Sequence, residues 1–187
     1  TPKPSSAASD VYKRQVDVPG RKWQQIRAFG SSLGFAQAPR HWLDWCAGKG
    51  HLGRVLAHGV QKLTCLEYDP ALVASGAALS QRLGINAQHI EQDVLAEDAG
   101  ALLHAEHSPV ALHACGDLHV RLMQLASAAG CRHLAIAPCC YNRVAAADYR
   151  PLSTAAQGSP LHLSLDDLAL PMSCLLYTSD AADEGLG

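Results

Sequence analysis

The sequence has little of what would set it apart from an ordinary globular protein. Aromatic residues make up 5% of the chain, charged residues make up 17%, and there are 2 methionines in 187 residues. No apolar run approaches the roughly 20 consecutive residues that a membrane-spanning helix requires. Lysine and arginine (15) do not outnumber aspartate and glutamate (17), so the overall charge does not indicate a nucleic-acid-binding protein. What remains is a globular domain, whose 48% hydrophobic content is sufficient for a core.

Cysteine is present, but it lacks the spacing of a structural metal site. None of the 7 cysteines forms a C-x-x-C pair. Cys139 and Cys140 are adjacent, and adjacent cysteines seldom face one ion, so we expect no metal. Most cysteines lie in apolar, strand-like surroundings, which favours reduced thiols in the cytoplasm over a disulfide framework.

The two ends of the chain do not have the pattern of a folded domain. Residues 5–15 (SSAASDVYKRQ) and 174–184 (CLLYTSDAADE) correspond to opposite strands of one DNA sequence that resembles a transposon-based sequencing adapter. We therefore expect residues 1–15 and 174–187 to be adapter remnants. The domain is then residues 16–173, and we expect it to be a fragment truncated after its fifth strand.

Apolar runs alternate with helical patterns through this domain. A first helix is predicted at Gly20–Leu33, with Trp23, Ile26 and Phe29 on one face. Helices are then predicted at His51–His58, at Pro70–Leu83, up to Ala105 and from Leu118. The strands are predicted at His41–Cys46, Lys62–Tyr68, Ala87–Glu91, Val110–Ala114 and Leu134–Ala137. This alternation predicts an α/β fold with a mostly parallel sheet and helices on both faces.

The most informative stretch is Leu43–Gly53, LDWCAGKGHLG, which predicts a strand end, a glycine turn and a helix N-terminus. A side chain at Gly48 or Gly50 would hold a ligand away from the turn, so the glycines indicate close approach of a cofactor. The candidate binding residues in this turn are Cys46, Ala47, Gly48 and Gly50.

Two classes of cofactor fit the turn. Gly48, Gly50 and Gly53 match G-x-G-x-x-G, the dinucleotide pattern. Asp44, four residues before Gly48, also matches the D-x-x-x-G-x-G turn that binds S-adenosylmethionine in Rossmann-like methyltransferases. An acid repels a pyrophosphate, whereas S-adenosylmethionine carries a cationic amine and a sulfonium. Asp44 therefore favours the methyltransferase interpretation, with an ordinary βα turn as the alternative that binds nothing.

Further candidates follow the next strands, where ligands bind in such sheets. Glu67 and the adjacent Tyr68 end strand two, and an acid there accepts hydrogen bonds from ribose hydroxyls. Asp93 ends strand three, where its carboxylate could accept from an adenine amino group and Val94 could help to select the base. Asp93 could equally cap a helix.

The fourth and fifth strands end in the candidate catalytic residues. Asp117 could accept a proton from a nucleophile or cap the helix that begins at Leu118. Cys139 could attack a pyrimidine ring, and Tyr141 belongs to the same turn, which could also serve only for packing. His113 is a further cofactor candidate or a core histidine, and His119 is expected to be an exposed helix residue.

Taken together, LDWCAGKGHLG, CLEYDP, QDV, ALHACGDLH and APCCYNR resemble a known family. They are similar to the class I methyltransferase domain of the methyltransferase-like and glutathione S-transferase C-terminal-domain-containing proteins. A more distant similarity is to tRNA 2′-O-methyltransferases, which have a histidine where this chain has Tyr141. The resemblance implies S-adenosylmethionine as cofactor, with Asp44, Gly48, Gly50, Glu67 and Asp93 in its pocket.

The sequence thus predicts a cytoplasmic S-adenosylmethionine-dependent methyltransferase. RNA is the first expectation for the methyl acceptor, by family analogy alone. The alternatives are an NAD(P)-dependent oxidoreductase and a catalytically silent S-adenosylmethionine-binding interaction module. A small molecule or a protein side chain also remains open as acceptor.

Overall fold

The computed structural model describes residues 15–57 and 61–170 of the chain. The expected adapter remnants lie outside these residues, apart from Gln15, and so does His58, where the second helix was predicted to end. Helix α1 spans Gly20–Ser32, one residue shorter than predicted. Its side chains Ile26 and Phe29 are buried, as the sequence pattern predicts, while Trp23 is only half-buried.

Five parallel strands form one sheet in the order β3-β2-β1-β4-β5. The strands are β1 His41–Trp45, β2 Lys62–Glu67, β3 Ala87–Glu91, β4 His107–Leu112 and β5 Ala135–Ala137. The number and parallel arrangement of the strands confirm the sequence prediction. Parallel neighbours require crossover connections, and this order is that of a Rossmann-like doubly wound sheet.

Side chains alternate between the two faces of the sheet, and a separate core covers each face. Trp42 packs with Ile26 and Phe29 on the face that α1 covers. The adjacent Leu43 packs with Leu122 on the opposite face. β1 is almost entirely buried because it lies at the centre of the sheet with cores on both sides.

Three further helices connect strands: α2 His51–Leu56, α3 Pro70–Leu83 and α4 Asp117–Ala128. The short helix α5, Thr154–Gln157, follows the last strand. The prediction for α3 is confirmed, including its cap: Asp69 Oδ1 accepts hydrogen bonds from the amides of Ala71 and Leu72 at 2.8 and 3.3 Å. Pro70 occupies the first turn, where its missing amide hydrogen costs nothing.

The prediction of a fourth α-helix, ending near Ala105, is wrong. The segment Glu97–Leu102 is a 3₁₀ helix, because its turns close through i→i+3 bonds such as Ala99 N to Ala96 O and Leu103 N to Gly100 O. The position of β4 also differs, since it begins at His107 rather than Val110. His107 pairs with His41, and the strand ends before His113, which has a φ of 68°.

Within the described residues, no helix is both long and apolar enough to cross a membrane. The stretch after Asn142, predicted as mostly loop, contains α5 and a helical segment at residues 165–170. It packs beside α4 and forms part of a large cleft that is described below.

Candidate functional site

The loop from Cys46 to Gly50 leaves β1 at its carboxyl end and turns sharply into α2. Cys46, Gly48 and Gly50 all have left-handed backbones, with φ of 55°, 57° and 69°. A Cβ at Gly50 would lie 2.8 Å from His89 Cε1 and 2.9 Å from Cys65 Sγ, whereas a Cβ at Gly48 would meet open space. Gly50 is therefore required for packing inside the fold, and Gly48 is the glycine on the open side of the turn.

Glu67 fixes this loop in place. Its Oε2 accepts a hydrogen bond from the Gly48 amide at 2.7 Å, and its Oε1 accepts one from the Asp69 amide at 3.0 Å. The Ala47 amide donates to the Leu66 carbonyl at 2.9 Å, which ties the same loop to β2. Each oxygen of a carboxylate has two lone pairs, so Glu67 keeps acceptor capacity for a ligand.

A cavity of about 360 Å³ lies beyond the carboxyl ends of β1, β2 and β3. We call it the strand-end cavity. Its size falls in the range typical of small-molecule sites, roughly 300–1,000 Å³. The side chains around it combine two carboxylates, a thiol, an amide, a phenol and two aliphatic groups. They are Cys46, Glu67, Tyr68, Gln92, Asp93, Val94 and Leu118.

Asp44 lies beneath the loop and does not line the strand-end cavity. It is 2% exposed, and its Oδ2 accepts a hydrogen bond from the Gly53 amide at 2.8 Å. Burial raises the pKa of Asp44 to about 7, even though the bond from Gly53 acts in the opposite direction. Its carboxyl holds the first turn of α2, and a direct contact with cofactor stays a prediction.

Four other strand-end candidates do reach the cavity. Tyr68 is 72% exposed, a high value for a large aromatic side chain. Asp93 accepts a hydrogen bond from the Leu95 amide at 2.9 Å, which forms a turn rather than the predicted helix cap. Val94 is buried beside it. Cys46 also lines the cavity, and burial together with the charge of Glu67 raises the pKa of its thiol to about 12.

The two histidines near β4 differ from their predicted surroundings. His113 is exposed, not a core residue, and its Nε2 lies 3.1 Å from Gln25 Oε1 of α1, outside the strand-end cavity. His119, predicted to be exposed, is buried, and its ring meets Tyr141 edge-on at 5.8 Å. The pattern misassigned His119 because the segment after β5 covers this part of α4.

A cleft of about 1250 Å³ lies on the other side of the β4–α4 turn. We call it the large cleft. Two of the three candidate catalytic residues, Asp117 and Tyr141, line it together with His119. Burial lowers the pKa of His119, and its Nδ1 has no hydrogen-bond partner among the described residues. Because this Nδ1 is itself buried, it is not placed to accept a proton from a molecule in the cleft.

The strand-end cavity and the large cleft meet at consecutive residues. Val94 lines the cavity while Leu95 lines the cleft, and Leu118 lines the cavity while Asp117 lines the cleft. A reagent in one space therefore lies next to a molecule in the other. The sequence did not single out Leu118 or Gln92, although Gln92 directly precedes Asp93 and Leu118 directly follows Asp117, both of which it did select.

Asp117 has a structural role in addition to any chemical one. It is the first residue of α4, and its Oδ2 accepts a hydrogen bond from the Ala145 amide at 2.7 Å. The carboxylate does not cap its own helix, so that alternative is wrong. Its amide donates to the Arg143 carbonyl at 3.1 Å. The segment after β5 is thus bonded to the start of α4.

Cys139 lies apart from both spaces and belongs to a group of three thiols. Its Sγ is 3.0 Å from Cys115 Sγ and 3.5 Å from Cys140 Sγ. Burial raises the pKa of Cys115, but hydrogen bonds from Cys139 and Cys140 outweigh it and make the net change a decrease. The bond to Cys115 and burial raise the pKa of Cys139 to about 12.

A family model described as a methyltransferase domain matches residues 21–147, more than half of the chain. The protein therefore belongs to this methyltransferase-domain family. The matched residues include the glycine loop, the ends of all five strands and the Cys139–Tyr141 turn. No curated protein shows significant similarity to the sequence.

Solved structures with similar folds include several methyltransferases. A geranyl diphosphate methyltransferase in complex with GPP and sinefungin is 15% identical, with a TM-score of 0.48, over 59% of this chain and 42% of that one. Magnesium protoporphyrin IX methyltransferase from Synechocystis PCC 6803 with bound SAH is 13% identical, with a TM-score of 0.49, over 71% and 66%. The chain thus spans about two fifths of the first structure and about two thirds of the second.

Proposed function

We propose that this chain binds S-adenosylmethionine in the strand-end cavity and transfers its methyl group to an acceptor in the large cleft. The observation that carries the proposal is the placement of Glu67, which bonds to the glycine loop and also lines the cavity. The family match supports a methyltransferase over the NAD(P)-dependent oxidoreductase that G-x-G-x-x-G alone would allow.

The cavity residues suit the parts of this cofactor. Glu67 would accept hydrogen bonds from the ribose hydroxyls, and Asp93 would accept one from the adenine amino group. Tyr68 offers an exposed aromatic face and Val94 an apolar one to the adenine ring. Gly48 leaves the loop surface open, which a side chain would fill.

The remaining candidates would act indirectly. Ala47 is buried and bonded to β2, Gly50 is packed against His89 and Cys65, and Asp44 holds α2. His113 would steady the segment after β4 through Gln25. In this proposal these four residues shape the loop and its surroundings without lining the cavity.

When bound, S-adenosylmethionine supplies an electrophilic methyl group on its sulfonium. The protein's contribution is to position an acceptor in line with it and to exclude water. His119, in the large cleft, would support the ring of Tyr141, which it meets edge-on, rather than take a proton, since its Nδ1 is buried. Tyr141 and Asp117 line the same cleft and would orient the acceptor.

The domain that performs this function is proposed to be residues 16–173, and the match to residues 21–147 supports that extent. A cytoplasmic location is proposed from the six free thiols among the described residues. RNA as acceptor rests on the resemblance alone, because the cleft presents Arg121 and Arg150 but also Asp117 and Asp148.

One observation favours a second candidate, a silent S-adenosylmethionine-binding module. The Asp117 carboxylate already accepts a bond from Ala145, so it is poorly placed to serve as a catalytic base. A chain that binds cofactor but transfers no label from S-[methyl-³H]adenosylmethionine to RNA, protein or small-molecule pools would support this candidate. Label that becomes acid-soluble after ribonuclease treatment would identify RNA as the acceptor.

The cofactor proposal is tested by calorimetric titration of S-adenosylhomocysteine and, separately, of NADH into the full chain. We expect micromolar binding of S-adenosylhomocysteine and none of NADH. Circular dichroism and a cooperative thermal transition serve as the control for folding. A folded chain that binds NADH, or that binds neither compound, would contradict the proposal.

A further inference from the structure

Three cysteines from two separate loops converge at one point beside β4 and β5. Cys115 follows β4, whereas Cys139 and Cys140 follow β5. Their Sγ atoms all lie within 4.8 Å of one another. β4 and β5 are parallel neighbours, so their carboxyl ends bring the two loops together. The adjacent Cys139 and Cys140 therefore both bring their sulfur atoms close to that of Cys115.

Backbone hydrogen bonds hold this convergence in place. The Gly116 amide donates to the Cys140 carbonyl at 3.0 Å. The amides of Cys139 and Cys140 each donate to Cys115 Sγ at 3.3 Å. Gly116 has a φ of 59°, and any side chain there would overlap the Arg143 carbonyl. The thiols are consequently preorganised by the loops instead of meeting through flexible side chains.

We propose that Cys115, Cys139 and Cys140 form a three-thiolate site for Zn²⁺. Zinc binds thiolates at about 2.3 Å in tetrahedral geometry, which places neighbouring sulfurs roughly 3.8 Å apart. Two of the separations, 3.0 and 3.5 Å, are somewhat shorter than this value, and the third is no more than 4.8 Å. Binding would require small movements of side chains only, and the thiol protons would pass to the solvent.

The fourth position of the ion would be open. Among the described residues, no further histidine, cysteine, aspartate or glutamate joins the group. Cys115 is buried while Cys139 is exposed, so the outer side of the site faces solvent. Water or an exogenous ligand would complete the coordination there, as at zinc sites with three protein ligands.

The experiment must distinguish the three-thiolate site from two alternatives, a second group of metal-binding side chains and a disulfide bond. His41, Glu106 and His107 form a second group that could hold a metal, and it lies at the amino ends of β1 and β4, away from the carboxyl ends that carry the three thiols. Cys115 and Cys139 are also close enough to form a disulfide after a small movement. Cadmium distinguishes the first arrangement, because thiolate coordination gives an ultraviolet charge-transfer absorption that histidine and carboxylate ligands do not give. The mass of the unreduced chain distinguishes the second.

The experiment titrates Cd²⁺, and then Zn²⁺ in competition with a chromophoric chelator, into the fully reduced chain. We expect one equivalent of thiolate-bound metal, with affinity at least about tenfold weaker in Cys115→Ser and Cys139→Ser. Cys131→Ser is the matched control, since Cys131 lies outside the group and its thiol donates to the His104 carbonyl, which serine can also do.

A reduced, folded wild-type chain that shows no thiolate absorption would overturn the proposal, and so would equal metal affinity in Cys115→Ser and Cys131→Ser. Circular dichroism of each variant establishes that it is folded. If Cys115→Ser does not fold, a measurement on the wild-type protein replaces it. Removal of zinc with a chelator should make all three thiols reactive toward a maleimide. Unchanged reactivity of these thiols would also overturn the proposal.

Discussion

Glu67 Oε2 accepts a hydrogen bond from the Gly48 amide at 2.7 Å, which joins the end of β2 to the loop that leaves β1. The same carboxylate lines the strand-end cavity. One side chain therefore sets the shape of the glycine turn and presents acceptors to a ligand. Hydrogen bonds to a charged group contribute roughly 1.5–3 kcal/mol each, so the loss of Glu67 should both loosen the glycine turn and weaken ligand binding.

Glu67→Ala is expected to weaken S-adenosylhomocysteine binding by at least about tenfold, measured by calorimetry. The matched control is Glu91→Ala. Glu91 pairs with Glu67 in the register of β2 and β3, yet it does not line the cavity. Equal affinities of the two variants would argue against a ligand-facing role for Glu67.

Tyr68→Ala tests whether the exposed ring serves as a platform for the adenine. Stacking of a base on an aromatic side chain is worth about 1–3 kcal/mol, so we expect affinity for S-adenosylhomocysteine to fall about fivefold or more. Tyr149→Ala is the control, because Tyr149 is also a large exposed aromatic but lines the other space. A Tyr68 variant that binds as tightly as the control would contradict the assignment.

Much of the fold was predictable because the sequence pattern is strong where burial is complete. β1 and β2 are central strands with cores on both faces, and their apolar runs fixed the start of each. The segment after β3 was not predictable to the same degree. Its choice between α and 3₁₀ geometry depends on Gly100 and on packing that the local sequence does not reveal.

The candidate site was likewise predictable only in part. Glu67, Tyr68, Asp93 and Val94 were identified because strand ends in a parallel sheet share one edge. The strand-end positions of Cys115, Cys139 and Cys140 were visible in the sequence, but without a C-x-x-C pair they were given little weight as a group. His119 was missed because its burial depends on the segment after β5, which folds back over α4. Contacts between residues so distant in sequence leave no local signal.

Asp44 should make stability depend on pH in an unusual direction. Burial raises its pKa from 3.8 to about 7, so the folded chain binds this proton more tightly than the unfolded chain does. The stabilisation is complete below about pH 4 and is lost as the pH rises through about 7. Asp44→Asn removes the titration while it keeps an oxygen for the Gly53 amide.

Urea unfolding of the wild type and Asp44→Asn at about pH 5 and about pH 8 checks this prediction. The free energy of unfolding of the wild type, relative to the variant, should fall by about 2 kcal/mol between these pH values. Histidines with lowered pKa values, such as His51 and His107, produce the opposite slope, but they are common to both proteins and cancel. A difference that does not change with pH would show that Asp44 titrates normally.

Gly116→Ala tests how tightly the segment after β5 is bound to the start of α4. Gly116 and Gly130 both have positive φ, 59° and 71°, and alanine at a left-handed position costs about 1–2 kcal/mol. Gly116 also has a ψ of −130°, a combination that is adopted almost only by glycine, so alanine strains the backbone more at Gly116. Only at Gly116 would the new Cβ also overlap the Arg143 carbonyl, whereas at Gly130 it meets open space. We expect Gly116→Ala to lower the free energy of unfolding by at least about 2 kcal/mol more than Gly130→Ala in urea. Similar losses in the two variants would mean that the segment yields at little cost, and Cys139 and Tyr141 would then not be held in fixed positions relative to β4.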